Sequence, residues 1–158
     1  SIAEERFKSS AELDLALNVD MNLAPKIVGP SISIGEDLSE LLNIENINFD
    51  YNKSFIRTDA AYELKKVIKY MNKYPSVKID VRSHTDARGS DAYNLSLSQR
   101  RNTATIDYII NTGGISRSRV TGNGYGETQL LNNCSNGVKC QDEEHEQNRR
   151  SEFIVVQK

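Results

Sequence analysis

The sequence predicts an α/β (α+β) sandwich, ordered β-α-β-α-β-β, with its helices packed on one mixed sheet. Alternation of hydrophobic residues, change of period and helix stop signals carry this reading. Ile47, Phe49 and Tyr51 alternate, as do Val77, Ile79 and Val81, which is the period of a half-buried strand. A stretch of helical period follows each run, and Pro75 and the pair Gly113–Gly114 close those stretches.

Before this domain, Leu13, Leu15, Leu17, Val19, Met21 and Leu23 occupy every second position. They predict one long strand, left from an upstream β domain, because the intervening Asn and Asp residues disfavour the helical alternative. The stretch "PKIVGPSISIGEDLSE", with two Pro and two Gly, reads as a linker. Residues 1–40 are therefore assigned to the strand and linker, and 41–158 to the main domain. In "TDAAYELKKVIKYMNKYP", Ala61, Leu64, Ile68 and Met71 share one helical face. "SDAYNLSLSQRRNTATIDYIINTGG" is the second, longer helix, with a stripe of Tyr93, Leu97, Ala104 and Tyr108. A short strand near Val120 and a last one in "SEFIVVQ" complete the set.

The 158 residues suffice to bury a core without staples. Hydrophobic residues make up 37% and charged residues 27%, as in soluble globular proteins, and no stretch reaches the roughly 20 apolar residues that cross a bilayer. With 20 basic and 22 acidic residues well mixed, neither nucleic acid nor anionic lipid is an expected partner. Starting at Ser1 without a basic-then-apolar leader, the chain is expected to be a processed protein or an excised fragment.

The densest polar stretch is "SHTDARGSDAYNLSLSQRR", residues 83–101. It begins at a strand end, a natural binding position in such folds. Arg101 lies about 40° from Leu97 on the helical wheel and so interrupts an oily face. A guanidinium enclosed there requires an anion. Asn94 projects near the same side, and Asp86 stands on the loop before the helix, so the three converge on one small pocket. The structural alternative is that Asp86 and Arg101 pair with each other or cap the helix. As a site, the carboxylate receives an ammonium and the guanidinium grips a carboxylate, which selects an α-amino-acid group.

The stretch above, followed by "DYIINTGGISRSRVTGNGYGE" and "NRRSEF", resembles the OmpA C-terminal-like peptidoglycan-binding family, over about Ile47 to Val156. The cysteine-containing "NNCSNGVKCQDEEHEQNRR" is similar to the version at the end of multidomain outer-membrane proteins. The resemblance implies noncovalent binding of peptidoglycan through the diaminopimelate of its stem peptide, anchoring the outer membrane or a larger outer-membrane protein to the wall. It carries the family's acid, arginine and asparagine onto Asp86, Arg101 and Asn94, and has Thr85, Asn148 and Arg149 line or brace the site. It further implies a periplasmic location, outer-membrane association through the parent protein, and no enzyme activity or cofactor. Ser83, Thr58, Asn102 and Thr105 depart from the usual Gly, Pro, Ala and Val.

Cys134 and Cys140 can close a small disulfide ring if their α-carbons approach within about 7 Å. Free thiols, or a metal site with His145 and His84, are the alternatives, the latter lacking paired ligand spacing. The resemblance to periplasmic modules favours the bridge. A hydrolase built on His84 with Ser83 or Ser98 lacks a nucleophile elbow. "TGNGYGE" reads as a turn rather than a nucleotide loop, and "QDEEHE" as solvated loop charge rather than a calcium site. The remaining alternative is a protein-interaction module using the strand Leu13 to Leu23 on a partner's sheet edge.

Overall fold

The computed structural model describes residues 32–158, and the strand expected at 13–23 lies outside them. The described chain runs through α1 (Leu38–Leu41), α2 (Thr58–Lys73), β1 (Lys78–His84), α3 (Asp91–Gly113), a 3-10 turn (Arg117–Arg119), β2 (Val120–Gly126), α4 (Asp142–Asn148) and β3 (Ser151–Gln157). The sheet has the order β2-β1-β3. β1 is parallel to β2, with Ile79 opposite Val120, and antiparallel to β3, with Val81 opposite Phe153. The parallel pair needs a crossover, and α3 supplies it. The result is the mixed sheet with helices that the periodicities predict.

One core joins these elements. Leu64, Val67 and Met71 of α2 meet Ile79 and Val81 of β1, Ile109 of α3, and Phe153 and Val155 of β3, all with no measurable exposure. Each such side chain contributes about 1.5–3 kcal/mol by leaving water. The buried stripe of α2 runs through Ala60, Leu64, Val67 and Met71, one position back from Ala61 and Ile68, because a face of this width admits either neighbour. Arg119 donates to the carbonyls of Met71, Tyr74 and Val77 and so caps the end of α2.

Residues 32–40, within the stretch read as a linker, pack on this core. Leu38 is fully buried. Asp37 Oδ1 accepts from Ser39 N, capping α1, and from Phe153 N of β3. Gly35 N donates to Val155 O and Val155 N to Glu36 O, so this segment lies along β3. That explains a correction: residues 47–51 form no strand in the described sheet. Ile47 and Phe49 still turn inward as their alternation requires, but the β3 edge is occupied, and Tyr51 is 94% exposed.

α3 and β2 also differ from the periodicity reading. The face that α3 buries is Asn94, Leu97, Ser98, Asn102, Thr105 and Ile109 rather than the stripe through Tyr93 and Tyr108. "TGNGYG" is strand β2 and not a turn. Both have one cause, which is close approach. A Cβ on Gly124 would stand 2.3 Å from Gln99 N and 2.4 Å from the Ser98 carbonyl carbon, so helix backbone rests on strand backbone and large side chains are excluded between them. The small polar residues there are bonded: Ser98 Oγ accepts from Gly126 N, and Asn102 donates to Val81 O and Ser83 Oγ. Ser83 and Asn102, two departures that the resemblance marked, are thus bonded to each other, while Asn102 Oδ1 is buried without a protein partner.

The run "QDEEHE" is also not a loop. It opens α4, where Asp142, Glu143 and Glu144 occupy the first turn, the favourable place for acids on the helix dipole. Cys134 and Cys140 form a disulfide with α-carbons 6.0 Å apart, closing the loop before α4. A ring of this size restricts the unfolded chain by about 2 kcal/mol.

Gly124→Ala is expected to lower the urea midpoint with an unchanged slope, corresponding to about 1–3 kcal/mol of overpacking. An unchanged midpoint would contradict the close approach of α3 to β2.

Candidate functional site

The end of β1, the loop after it and the start of α3 build a pocket of about 490 Å³. Thr85, Asp86, Asn94, Arg101 and Arg149 all line it, together with Phe49, Tyr51, Arg88 and Leu97. Of the six residues singled out in the sequence, only Asn148 stays outside the lining. It is fully buried, accepts from Leu131 N and donates to Asn132 Oδ1, and so ties the disulfide loop to α4.

Asp86 and Arg101 do not pair with each other; each has its own partners. Asp86 Oδ2 accepts from Arg149 Nη1 at 2.7 Å and from Arg88 Nη2 at 3.0 Å, while Oδ1 accepts from Arg88 N at 2.9 Å. Burial pushes this carboxyl up, but the hydrogen bonds from Arg88 and Arg149 outweigh it and hold the group below the usual aspartate value. Oδ1 has one protein donor and can accept another.

Arg101 donates from Nε to Lys53 O at 3.0 Å and from Nη2 to Asp50 O at 3.2 Å, with its guanidinium 4.9 Å from the centre of the Phe49 ring. Among the described residues no carboxylate pairs with it. Two of its five N–H groups are thereby used. Burial lowers its pKa. A cation with spare donors, beside a carboxylate with a spare acceptor position, suits a ligand bearing both charges.

Asn94 acts on the loop. Its Nδ2 lies within hydrogen-bonding distance of Asp86 O, Arg88 O and Glu127 Oε1, which fixes the turn presenting Asp86 to the pocket. Ser90 caps α3 by accepting from Tyr93 N, and Gly89, at φ 91°, makes the left-handed bend before it. The Thr85 hydroxyl is buried without a protein partner. Arg88 was missed in the sequence, although its place two residues after Asp86 in "TDARG" permits the backbone-to-carboxylate turn now seen. It also bonds Asp142 of α4 at 3.0 Å.

His84 faces elsewhere. Its Nε2 is hydrogen-bonded to Glu152 Oε1, its ring stacks on Tyr125 at 5.5 Å, and burial lowers its pKa. Ser83 Oγ is bonded to Asn102 and Ser98 Oγ to Leu95 O and Gly126 N. Neither hydroxyl is bonded to His84, so the nucleophile–base contact of a serine hydrolase is not formed. The sulfurs of Cys134 and Cys140 are consumed in the disulfide, which removes the thiolates that a metal site with His145 would need.

The depressed pKa of Asp86 fixes the sign of a pH effect. Its ion pairs stabilise fully above the unfolded value near 4 and are lost as pH falls through the lower folded value. Asp86→Asn is expected to cost about 1–2 kcal/mol at neutral pH, moderated by the exposure of both arginines. Urea titrations should show this difference constant from pH 7 to pH 5 and shrinking below about pH 4; a difference that grows on acidification would contradict the pairing.

The OmpA family pattern matches residues 48–144. Outer membrane porin F of Pseudomonas aeruginosa is 36% identical over 93 residues, covering 58% of this chain and 27% of the porin. The peptidoglycan-associated lipoprotein of Brucella melitensis is 41% identical over 69 residues, covering 44% of this chain and 41% of the lipoprotein. The chain therefore spans less than half the length of either relative. The crystal structure of the peptidoglycan-associated lipoprotein from Burkholderia pseudomallei superposes with a TM-score of 0.59 at 21% identity, over 70% of this chain and 88% of that one, and shows the same fold. With more than half of its sequence matched and its fold shared, the chain belongs to the OmpA family.

Proposed function

We propose that this chain binds peptidoglycan noncovalently, taking the diaminopimelate side chain of a stem peptide into the pocket between Asp86 and Arg101. The observation that carries this reading is Arg101: a half-buried guanidinium with N–H groups to spare and no carboxylate partner among the described residues. The ligand's carboxylate supplies the missing charge, and its ammonium approaches Asp86 Oδ1. Asn94 and Arg149 hold Asp86 in place, and Thr85 offers a hydroxyl at the wall. Family membership and the name of the lipoprotein relative support the same conclusion.

Two charge-assisted contacts of about 1.5–3 kcal/mol each correspond to only weak attachment by one pocket after association costs. Firm anchoring therefore comes from many copies facing a polymeric wall, or from a parent protein held in the outer membrane beside it. The module's role is attachment rather than catalysis, in the periplasm, where the disulfide also persists.

Asp86→Ala and Arg101→Ala should each weaken binding to purified peptidoglycan by at least about tenfold, read by pull-down, with the far-ultraviolet circular dichroism unchanged. A stem tripeptide carrying diaminopimelate should compete, and the same tripeptide with lysine in its place, whose side chain ends in an ammonium without a carboxylate, should not. Retained pull-down by both variants would contradict the assignment.

A further inference from the structure

A second, larger depression lies beside the pocket. It has a volume of about 1010 Å³ and runs between the extended stretch 45–48 and the first half of α2. Asn48 lines this groove and Phe49, next in the chain, lines the pocket, so their α-carbons are about 3.8 Å apart. A small cavity between them is lined by Asn46 and Asn48 of the groove and by Phe49 and Arg101 of the pocket. The strand-like alternation of residues 46–49 therefore divides their labour. Ile47 and Phe49 turn inward, while Asn46 and Asn48 face the groove.

The chemistry of the groove differs from that of the pocket. Its cations are already matched: Arg57 bonds Asp50 and Asp59 at 3.2 and 3.1 Å, and Lys66 bonds Glu63 at 2.8 Å. Glu45 adds a carboxylate with no ion-pair partner among the described residues. Among the described residues no unpaired cation lines the groove. The groove instead exposes two rings, Phe55 at 55% and Tyr62 at 67%, next to carboxylate and amide groups. Aromatic faces beside such hydrogen-bonding groups suit a neutral, polyhydroxylated ligand with apolar C–H faces.

We propose that this groove binds the glycan strand of the wall, so that the chain reads sugar and stem peptide at adjoining sites. The inference rests on the pocket reading above, because adjacency to that pocket through residues 46–49 is what selects wall glycan among neutral saccharides. The sugars of that polymer are neutral where the peptide's amide consumes their carboxyl, which agrees with a groove whose cations are matched and a pocket whose arginine is open.

The test is a titration of the full chain, followed by NMR chemical shifts, with two ligands: a diaminopimelate-containing tripeptide, and the same tripeptide attached to its N-acetylated disaccharide. The disaccharide form should bind about tenfold more tightly, the change that ~1.4 kcal/mol would produce. The double variant Phe55→Ala, Tyr62→Ala, at two exposed positions, should lose that gain and bind the tripeptide as before. Equal affinity for the two ligands, or a gain that survives the double variant, overturns the groove assignment and leaves the pocket reading standing. Failure of both ligands to bind contradicts the pocket reading, and the groove's occupant with it.

Discussion

The buried carboxylate of Asp86 organises this end of the molecule. Removed from water, it stays ionised because guanidinium groups from two places in the sequence converge on it: Arg88 from its own loop and Arg149 from the end of α4. The same loop is held by Asn94 through the carbonyls of Asp86 and Arg88. One charge thereby fastens the end of β1, the start of α3 and the approach to β3. Leaving such a group unpaired in the interior would cost several kcal/mol, so the arrangement fixes geometry as well as charge. Arg101 is the counterpoint, a guanidinium left to backbone carbonyls and an aromatic face.

The disulfide loop and α4 belong to this arrangement. Asn148 fastens the loop to the helix, Asp142 holds the outer side of Arg88, and Arg149 reaches Asp86 from the far end of α4. The short ring closed by Cys134 and Cys140 thus lies next to elements that reach the pocket, and it stiffens a stretch of α4's approach that has few apolar residues. Cys134 itself is fully buried.

Much of the site is legible in the sequence because helical geometry is local. Asn94 and Arg101 are seven residues apart, about two turns, and so share a face, and Asp86 stands on the short loop that must enter the helix beside them. The partners of Asp86 are less legible. Arg149 comes from the end of α4, and only the family pattern pointed to it; Arg88 required knowing the turn. The fold shows the same division. Strong alternation at Ile79 and Val81 and the glycine stop at Gly113–Gly114 read directly, whereas Ile47–Tyr51 alternates without a ladder because residues 35–36 pair with Val155. The glycines of β2 mimic a turn, since close contact with α3 and a sharp bend call for the same residue. The acids of α4 mimic a loop, since a short helix stabilised by its first-turn charges has little apolar periodicity to display.

The pocket and the neighbouring groove lie on either side of a single extended stretch of chain, and the proposal gives separated charges to the first and neutral, hydroxylated surface to the second. The central claim is that Arg101 completes its coordination with a ligand carboxylate. A crystal structure of the chain with a diaminopimelate-containing tripeptide measures this most directly. The account predicts a ligand carboxylate about 3 Å from the Arg101 guanidinium and a ligand ammonium at Asp86 Oδ1. A tripeptide bound elsewhere, with Arg101 contacting no ligand carboxylate, would contradict it.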